Sequence, residues 1–214
     1  MRRTKSSRNW LKEHFDDTFV KQSRVDGYRS RAAYKLLEIQ QKDKIFHKGM
    51  CVVDLGSAPG SWSQVAAEIM GETGKIVALD LLSMGGLGGV DFIQGDFRDE
   101  AIQKKIREHI GNRPVDVVMS DMAPNMSGYR HIDIPRAMGL VEEVFIFATE
   151  VLKPGGCLLM KLFQGSGFEM LLKQVRGSFE KAMIRKPEAS RSRSSECFLL
   201  AKNYKGTFSE ESEE

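Results

Sequence analysis

The sequence predicts an α/β fold, a mostly parallel seven-stranded sheet with helices on both faces. Three observations predict it. The apolar runs Val52-Val53-Asp54-Leu55, Ile76-Val77-Ala78-Leu79, Asp116-Val117-Val118-Met119 and Cys157-Leu158-Leu159-Met160 do not alternate with polar residues. Strands buried on both faces of a parallel sheet read that way. Segments of helical period separate these runs, which is the alternation of a doubly wound sandwich. The chain has 214 residues, 41% hydrophobic and 29% charged. That suits one core and excludes a wholly disordered or collagen-like chain.

The elements follow in order. Residues 1–8 read as a disordered basic arm, and Asn9 to about Lys21 as a weakly amphipathic helix. Ser30 is a good cap for a helix whose apolar stripe is Ala32, Ala33, Leu36, Leu37 and Ile39. Met50–Leu55 reads as a strand, Gly56–Gly60 as a tight turn, and Ser61–Met70 as a helix stopped by Gly71. Lys75–Asp80 is a strand, 82–89 a glycine-rich loop and Val90–Gln94 a short strand. Asp99–Ile110 is a helix closed by Gly111, and Val115–Ser120 a strand. A long helix spans about Ile134–Leu152 and ends at Lys153-Pro154-Gly155-Gly156. Cys157–Leu162 is a strand, Phe168–Arg176 a helix, and Phe179–Arg185 with Glu196–Lys202 a final strand pair. The expected organisation is a basic arm with a short helix (1–28), one α/β domain (29–205) and a disordered acidic tail (206–214).

Charge is unevenly spread. The whole chain is +3, but residues 1–35 are net +6 and residues 206–214 net −4. No apolar run approaches the roughly 18 residues of a membrane span, and no apolar segment follows the N-terminal arginines as in a secretory signal. Cys51, Cys157 and Cys197 are far apart, lack CxxC spacing and each begin an apolar run. They read as buried hydrophobes in a reducing compartment, so the expected location is cytoplasmic. The four histidines show no ligand spacing, so no metal is expected.

In doubly wound sheets ligands sit beyond the carboxyl ends of the strands. Gly56 and Gly60 let the backbone turn sharply and approach a ligand. The turn Gly56-Ser57-Ala58-Pro59-Gly60 fits neither the P-loop nor the dinucleotide GxGxxG pattern. Asp80 closes the second strand, where a carboxylate grips ribose hydroxyls of an adenosine cofactor. With Asp96 after the third strand and Asp54 in the first, three carboxylates are expected to converge on one crevice. They would repel a pyrophosphate but suit a sulfonium with an amino-acid tail, which favours S-adenosylmethionine over NAD. The Trp62 ring either walls the adenine or packs at the helix start.

Asp121 follows the fourth strand, and Lys161 lies inside the apolar fifth. An ammonium there is costly unless paired, so Lys161 reads as functional. Lys35 shares a helix face with Arg31 and Glu38, and Glu196 opens the last strand. The segments Tyr28-Arg29-Ser30-Arg31-Ala32-Ala33-Tyr34-Lys35-Leu36, Asp54 to Gln64, Gly95-Asp96-Phe97, Ser120-Asp121-Met122-Ala123-Pro124-Asn125, Lys161-Leu162-Phe163-Gln164-Gly165 and Lys186-Pro187-Glu188-Ala189-Ser190-Arg191 resemble the FtsJ/RrmJ family of bacterial large-subunit (23S) ribosomal RNA 2′-O-ribose methyltransferases. The likeness spans about residues 10–205. It implies a Rossmann-like class I S-adenosylmethionine-dependent methyltransferase. It also implies a catalytic tetrad of Lys35, Asp121, Lys161 and Glu196, and cofactor contacts from Gly60, Trp62, Asp80, Asp96 and Asp121. The implied substrate is the 2′-hydroxyl of a uridine in the A-loop of 23S rRNA within the large subunit. Residues 83–89 are richer in glycine than the family's loop, which weakens the expectation of a rigid wall there.

A ribose hydroxyl is a poor nucleophile, so the chemistry needs alignment and proton removal. Lys161 can serve as base only when neutral, or else as an oxyanion stabiliser, with Asp121 as its orienter. Glu196 either orients Lys35 or accepts from the ribose. Arg2, Arg3, Lys5, Arg8, Lys21, Arg24, Arg29 and Arg31 are expected to contact phosphates, with Tyr28 or Trp10 stacking on a base. Arg185, Lys186, Arg191 and Arg193 would form a second basic patch. Rival readings are methylation of an exocyclic amine, which Asn125 and Lys161 fit poorly, methylation of a transfer RNA or messenger cap, and a noncatalytic RNA-binding assembly factor. A monomer suits a single active-site face.

Overall fold

The computed structural model describes residues 17–124, 127–190 and 194–206. The expected helix start before Asp17, the basic side chains of 1–8, Trp10, Asn125, Arg191, Arg193 and the tail from residue 207 lie outside them. The elements are α1 (Thr18–Val25), α2 (Ala32–Asp43), β1 (Cys51–Leu55), α3 (Ser61–Met70), β2 (Lys75–Asp80), β3 (Val90–Gln94), α4 (Glu100–Ile110), β4 (Val115–Ser120), α5 (Arg130–Val151), β5 (Leu152–Phe163), α6 (Phe168–Ser178), β6 (Phe179–Arg185) and β7 (Glu196–Tyr204).

The strands form one sheet in the order β3-β2-β1-β4-β5-β7-β6. β7 pairs antiparallel with both β5 and β6, and the other pairings are parallel. One face packs on α4, α5 and α6 through Ile106, Phe147 and Val175. The other packs on α2 and α3 through Leu36, Ile39, Trp62 and Val65. Strand order reverses between β1 and β4, whose Leu55 and Ser120 are paired at their carboxyl ends. Such a reversal opens a crevice beyond the sheet, and it does so here beside Gly56 and Asp121.

Several element limits shift, and the first helix runs on to Val25 rather than ending near Lys21. The long helix begins at Arg130, before Pro135 rather than beside it. The Ile132 and Asp133 amides both donate to Tyr129 O at 2.9 Å, closing the first turn. The Asp133 carboxylate in turn accepts from Ser127 N, Ser127 Oγ and Gly128 N at 2.8–2.9 Å. Strand β5 starts at Leu152 rather than Cys157, because Leu152 pairs with Val115 ahead of a register shift. Gly155, at φ +80°, takes up the irregularity.

Candidate active site

The crevice begins with the turn after β1. Gly56 N and Ser57 N donate to Leu79 O at 2.8 and 3.0 Å, which ties the turn to β2. Gly56 sits at φ +81°, and a Cβ there would lie 2.5 Å from Met122 Cγ and 2.9 Å from Met122 N. Only glycine allows the β1 turn to pass this close to the segment after β4. Asp80, at the end of β2, accepts from Ala58 N and Leu82 N, each at 2.8 Å. Its carboxylate thus fixes the turn and the start of the next loop together. Asp96 accepts from Arg98 N at 3.0 Å and is exposed.

These residues line a cavity of about 490 Å³. Gly56, Ala58, Asp80, Leu81, Asp96, Phe97, Asp121 and Met122 form its walls, and Arg136 and Leu140 come from α5. Leu81 is 63% exposed, an apolar surface left open at the rim. Arg136 and Leu81 were not foreseen. An arginine two turns into a helix carries no local signal that it faces a cavity.

Three of the expected cofactor residues are not among those lining this cavity. Asp54 is 1% exposed and points into the layer between the sheet and α3. Strand alternation puts it on the side of Val52, and its Oδ2 accepts from Ser63 Oγ at 2.6 Å. Its Oδ1 is buried without a hydrogen-bond partner. Burial pushes the Asp54 carboxyl up to about 7, with the Ser63 hydrogen bond opposing and the charges of Asp121 and Asp80 adding to the rise. Trp62 is also buried. Its Nε1 donates to Ala32 O at 2.9 Å and its ring lies 5.5 Å from that of Phe198, so it joins α3 to α2 and β7. Of the two readings of this tryptophan, packing is the one observed. Gly60 caps α3 outside the cavity wall, at φ +106°.

The four tetrad residues form two charged pairs. Lys161 Nζ lies 3.1 Å from Asp121 Oδ1 and donates to the Asp121 main-chain oxygen. The Oδ1 contact is an ion pair outside hydrogen-bond geometry, and that oxygen is buried. Lys35 Nζ lies 2.9 Å from Glu196 Oε1 and 5.4 Å from the Phe198 ring centre. Sheet register explains the convergence. Lys161 pairs with Phe198 and Phe163 with Glu196, so Lys161, Phe198 and Glu196 share the face that α2 covers. Burial would raise the Glu196 carboxyl, but the charge and hydrogen bond of Lys35 and the charge of Lys161 outweigh it and hold Glu196 below its usual value. Lys161 is 9% exposed. A hollow of about 530 Å³ opens outside the second pair, walled by Ser30, Lys35, Ser194 and Glu196.

Several side chains expected on RNA phosphates are engaged within the protein. Arg31 pairs with Asp17 and donates to Ala189 O. Arg185 holds Asp43 through two hydrogen bonds of 2.6 and 2.8 Å, which keep the Asp43 carboxyl below its usual value. Lys186 donates to Ser194 O at 2.6 Å and to Glu196 O. Arg29 donates to three main-chain carbonyls. Basic residue type alone could not separate these ties from open contacts; Lys21, by contrast, is exposed on α1. Among the described residues there is no cluster of metal-ligating side chains and no helix long and apolar enough to cross a membrane.

A seven-stranded sheet with a carboxylate-walled cavity at its switch point, flanked by paired lysines, defines a Rossmann-like methyltransferase. The chain belongs to the FtsJ-like methyltransferase family, whose model matches residues 28–204. It is 58% identical over 204 residues to the ribosomal RNA large subunit methyltransferase E of Legionella pneumophila (strain Paris), covering 95% of this chain and 99% of that one. Identity to the protein of the same name from Hahella chejuensis is 53% over 206 residues, covering 96% and 100%. A crystal structure of a Plasmodium falciparum protein described as a ribosomal RNA methyltransferase superposes with a TM-score of 0.75 at 30% identity, covering 84% of this chain and all of that one.

Proposed function

We propose that the chain transfers a methyl group from S-adenosylmethionine to a ribose 2′-hydroxyl of 23S rRNA in the large ribosomal subunit, a uridine of the A-loop, and acts in the cytoplasm. The observation that carries this reading is the placing of Asp121. It lines the cofactor-sized cavity and at the same time holds Lys161, so one residue joins a donor site to a buried ammonium.

The cavity fits the cofactor. Asp80 keeps lone pairs beyond its two amide contacts for ribose hydroxyls, and Asp96 offers a further carboxylate beside the apolar Leu81 and Phe97. Asp121 adds a carboxylate to the cavity wall, and glycine at 56 lets the turn after β1 pass close to Met122. Gly56, Asp80, Asp96 and Asp121 are the proposed cofactor residues. Asp54, buried and bonded to Ser63, is not among the residues that line the cavity. When bound, S-adenosylmethionine supplies an electrophilic methyl group on a sulfonium.

Lys161 faces the acceptor oxygen, held in direction by the main-chain oxygen and carboxylate of Asp121. It either takes the hydroxyl proton or stabilises the oxyanion that develops. Lys35 and Glu196 form the substrate-side wall, where Lys35 sets the charge around Lys161 and Glu196 orients Lys35. General-base assistance of this kind contributes about 10²–10⁴-fold. The wide hollow outside Lys35 and Glu196 suits an extruded nucleotide.

The test is incubation with labelled S-adenosylmethionine and large subunits from a strain lacking the enzyme, followed by mapping of alkali-resistant positions. Label at a 2′-O position of an A-loop uridine is expected. Label on a base would sink the ribose assignment, and label only on transfer RNA would redirect the substrate. RNA affinity should fall steeply with salt, and a flat titration would contradict phosphate contacts.

A further inference from the structure

Between Asp80 and Val90 the chain runs Leu81-Leu82-Ser83-Met84-Gly85-Gly86-Leu87-Gly88-Gly89 without regular structure. A Cβ at Gly85, Gly86 or Gly88 would meet nothing within 4 Å. Packing therefore does not demand glycine at these positions. Glycines in open space leave the loop a large conformational entropy to lose on ordering. Something must hold it, because it continues directly from Asp80 and Leu81 in the cavity wall.

Among the described residues, the hydrogen bonds that reach residues 83–86 both come from Arg29. Its Nη1 donates to Gly85 O at 2.7 Å and its Nη2 to Gly86 O at 2.6 Å. The same Nη1 donates to Pro59 O at 3.0 Å, on the turn after β1. One guanidinium thus ties the loop after β2 to the turn after β1. Arg29 is itself anchored, since its main-chain N donates to Gln64 Oε1 at 3.2 Å and Gln64 Nε2 donates to Gly27 O at 3.0 Å. Gly60 now has a physical reason. A Cβ there would come within 2.8 Å of both Arg29 Nη1 and Met84 Sδ, so the missing side chain is the space that the latch and the loop occupy.

We infer that Arg29 is a positioning residue for cofactor binding: its guanidinium latches the glycine-rich loop onto the turn 56–60 and so sets the separation of the two cavity walls. The inference rests on the cofactor reading above. Gly56 and Ala58 lie on one latched segment, and Asp80 and Leu81 lead into the other. The planar fork is essential, because its several N–H groups reach three carbonyls on two segments, which an ammonium on a flexible stem does not reproduce. Arg29 therefore belongs to the donor site rather than to the RNA grip that its charge suggests.

The experiment measures S-adenosylmethionine affinity by calorimetry for the full chain and for Arg29→Lys and Arg29→Ala, with RNA affinity followed against salt in parallel. Both variants are expected to bind the cofactor about tenfold more weakly or worse, consistent with the loss of two or three hydrogen bonds. The KM for the cofactor should rise while kcat at saturating cofactor stays within about twofold. Amide exchange over residues 82–89 should quicken, and the salt slope of RNA binding should not move. Arg29→Lys keeps the charge and the stem, so it carries the test if Arg29→Ala folds poorly. Wild-type cofactor affinity in Arg29→Lys overturns the inference. So does a change confined to RNA affinity with a salt slope reduced by about one, the signature of a phosphate contact. A wild-type chain that binds no S-adenosylmethionine at all refutes the cofactor reading itself, which is a separate outcome.

Discussion

The donor cavity and the lysine–carboxylate tetrad touch at Asp121, yet they are built in different ways. The cavity is made of backbone. Its walls are the turns that leave β1 and β2 and the segment after β4, fastened by amide hydrogen bonds to Leu79 O and to the Asp80 carboxylate. The tetrad is made of charge. Its members come from α2, β5, β7 and the end of β4, and its two ion pairs are formed across the sheet surface. A backbone cavity fails when a turn is strained. A charge cluster fails when one partner is removed and the other is left buried and unpaired. The difference separates what each region governs, binding of the donor in one and reaction at the acceptor in the other.

The largest expected effect breaks the comparison at its joint. Lys161→Ala should lower methyl transfer by about 10²–10⁴-fold and leave the cofactor dissociation constant nearly unchanged, read by single-turnover kinetics beside calorimetry. Loss of both would mean that Lys161 is part of the donor site's framework. Next comes Asp54. Its folded carboxyl is raised to about 7, so it contributes stability fully only below its unfolded value and loses it as pH rises through about 7. In the cofactor-free protein, Asp54→Asn should therefore gain relative stability by a few kcal/mol at most between pH 5 and pH 8 in denaturant melts. A wild type and variant that run parallel over that range would contradict it.

Gly56→Ala should strain the positive-φ turn and drive a methyl group into Met122, costing about 1–3 kcal/mol and weakening cofactor binding. Thermal melts together with cofactor titration check it, and an unchanged affinity would move the donor away from this turn. The smallest effect concerns the outer pair. A double-mutant cycle of Lys35→Ala and Glu196→Ala on kcat should show a coupling of about 0.5–3 kcal/mol. The depressed Glu196 carboxyl should keep that coupling constant through neutral pH and lose it only as pH falls through the carboxylate's lowered value. Additive losses would separate Lys35 from Glu196 in function.

The strands and helices nearest the cavity were legible because their signals are local. Ser61–Met70, Lys75–Asp80, Val90–Gln94 and Val115–Ser120 begin and end where the sequence puts them. Continuous apolar runs and flanking glycines decide those limits without help from distant residues. Asp80, Asp96 and Asp121 were found at or just after the carboxyl ends of strands, since a parallel sheet brings all such positions to one edge. Asp54 was expected in the same crevice from within β1, where alternation decides which face a side chain takes.

The tetrad was recognisable as a resemblance, with Asp121 expected to orient Lys161, but the pairing of Glu196 with Lys35 was one of two alternatives. Pairing depends on β7 inserting antiparallel beside β5, which places Glu196 on the face that α2 brings Lys35 to. The same holds for the arginines. Arg29, Arg31 and Arg185 read alike in the sequence as cations for a phosphate backbone. Their partners are the carbonyls of Gly85 and Gly86, the carboxylate of Asp17 and the carboxylate of Asp43. The sequence by itself determined the doubly wound sheet, the edge at which a ligand must sit and the residue types gathered there, because period, turn chemistry and apolar runs act over a few residues. Only the tertiary structure decided which charge meets which, because those contacts close across about 14 to 160 residues of chain and depend on how separate elements dock.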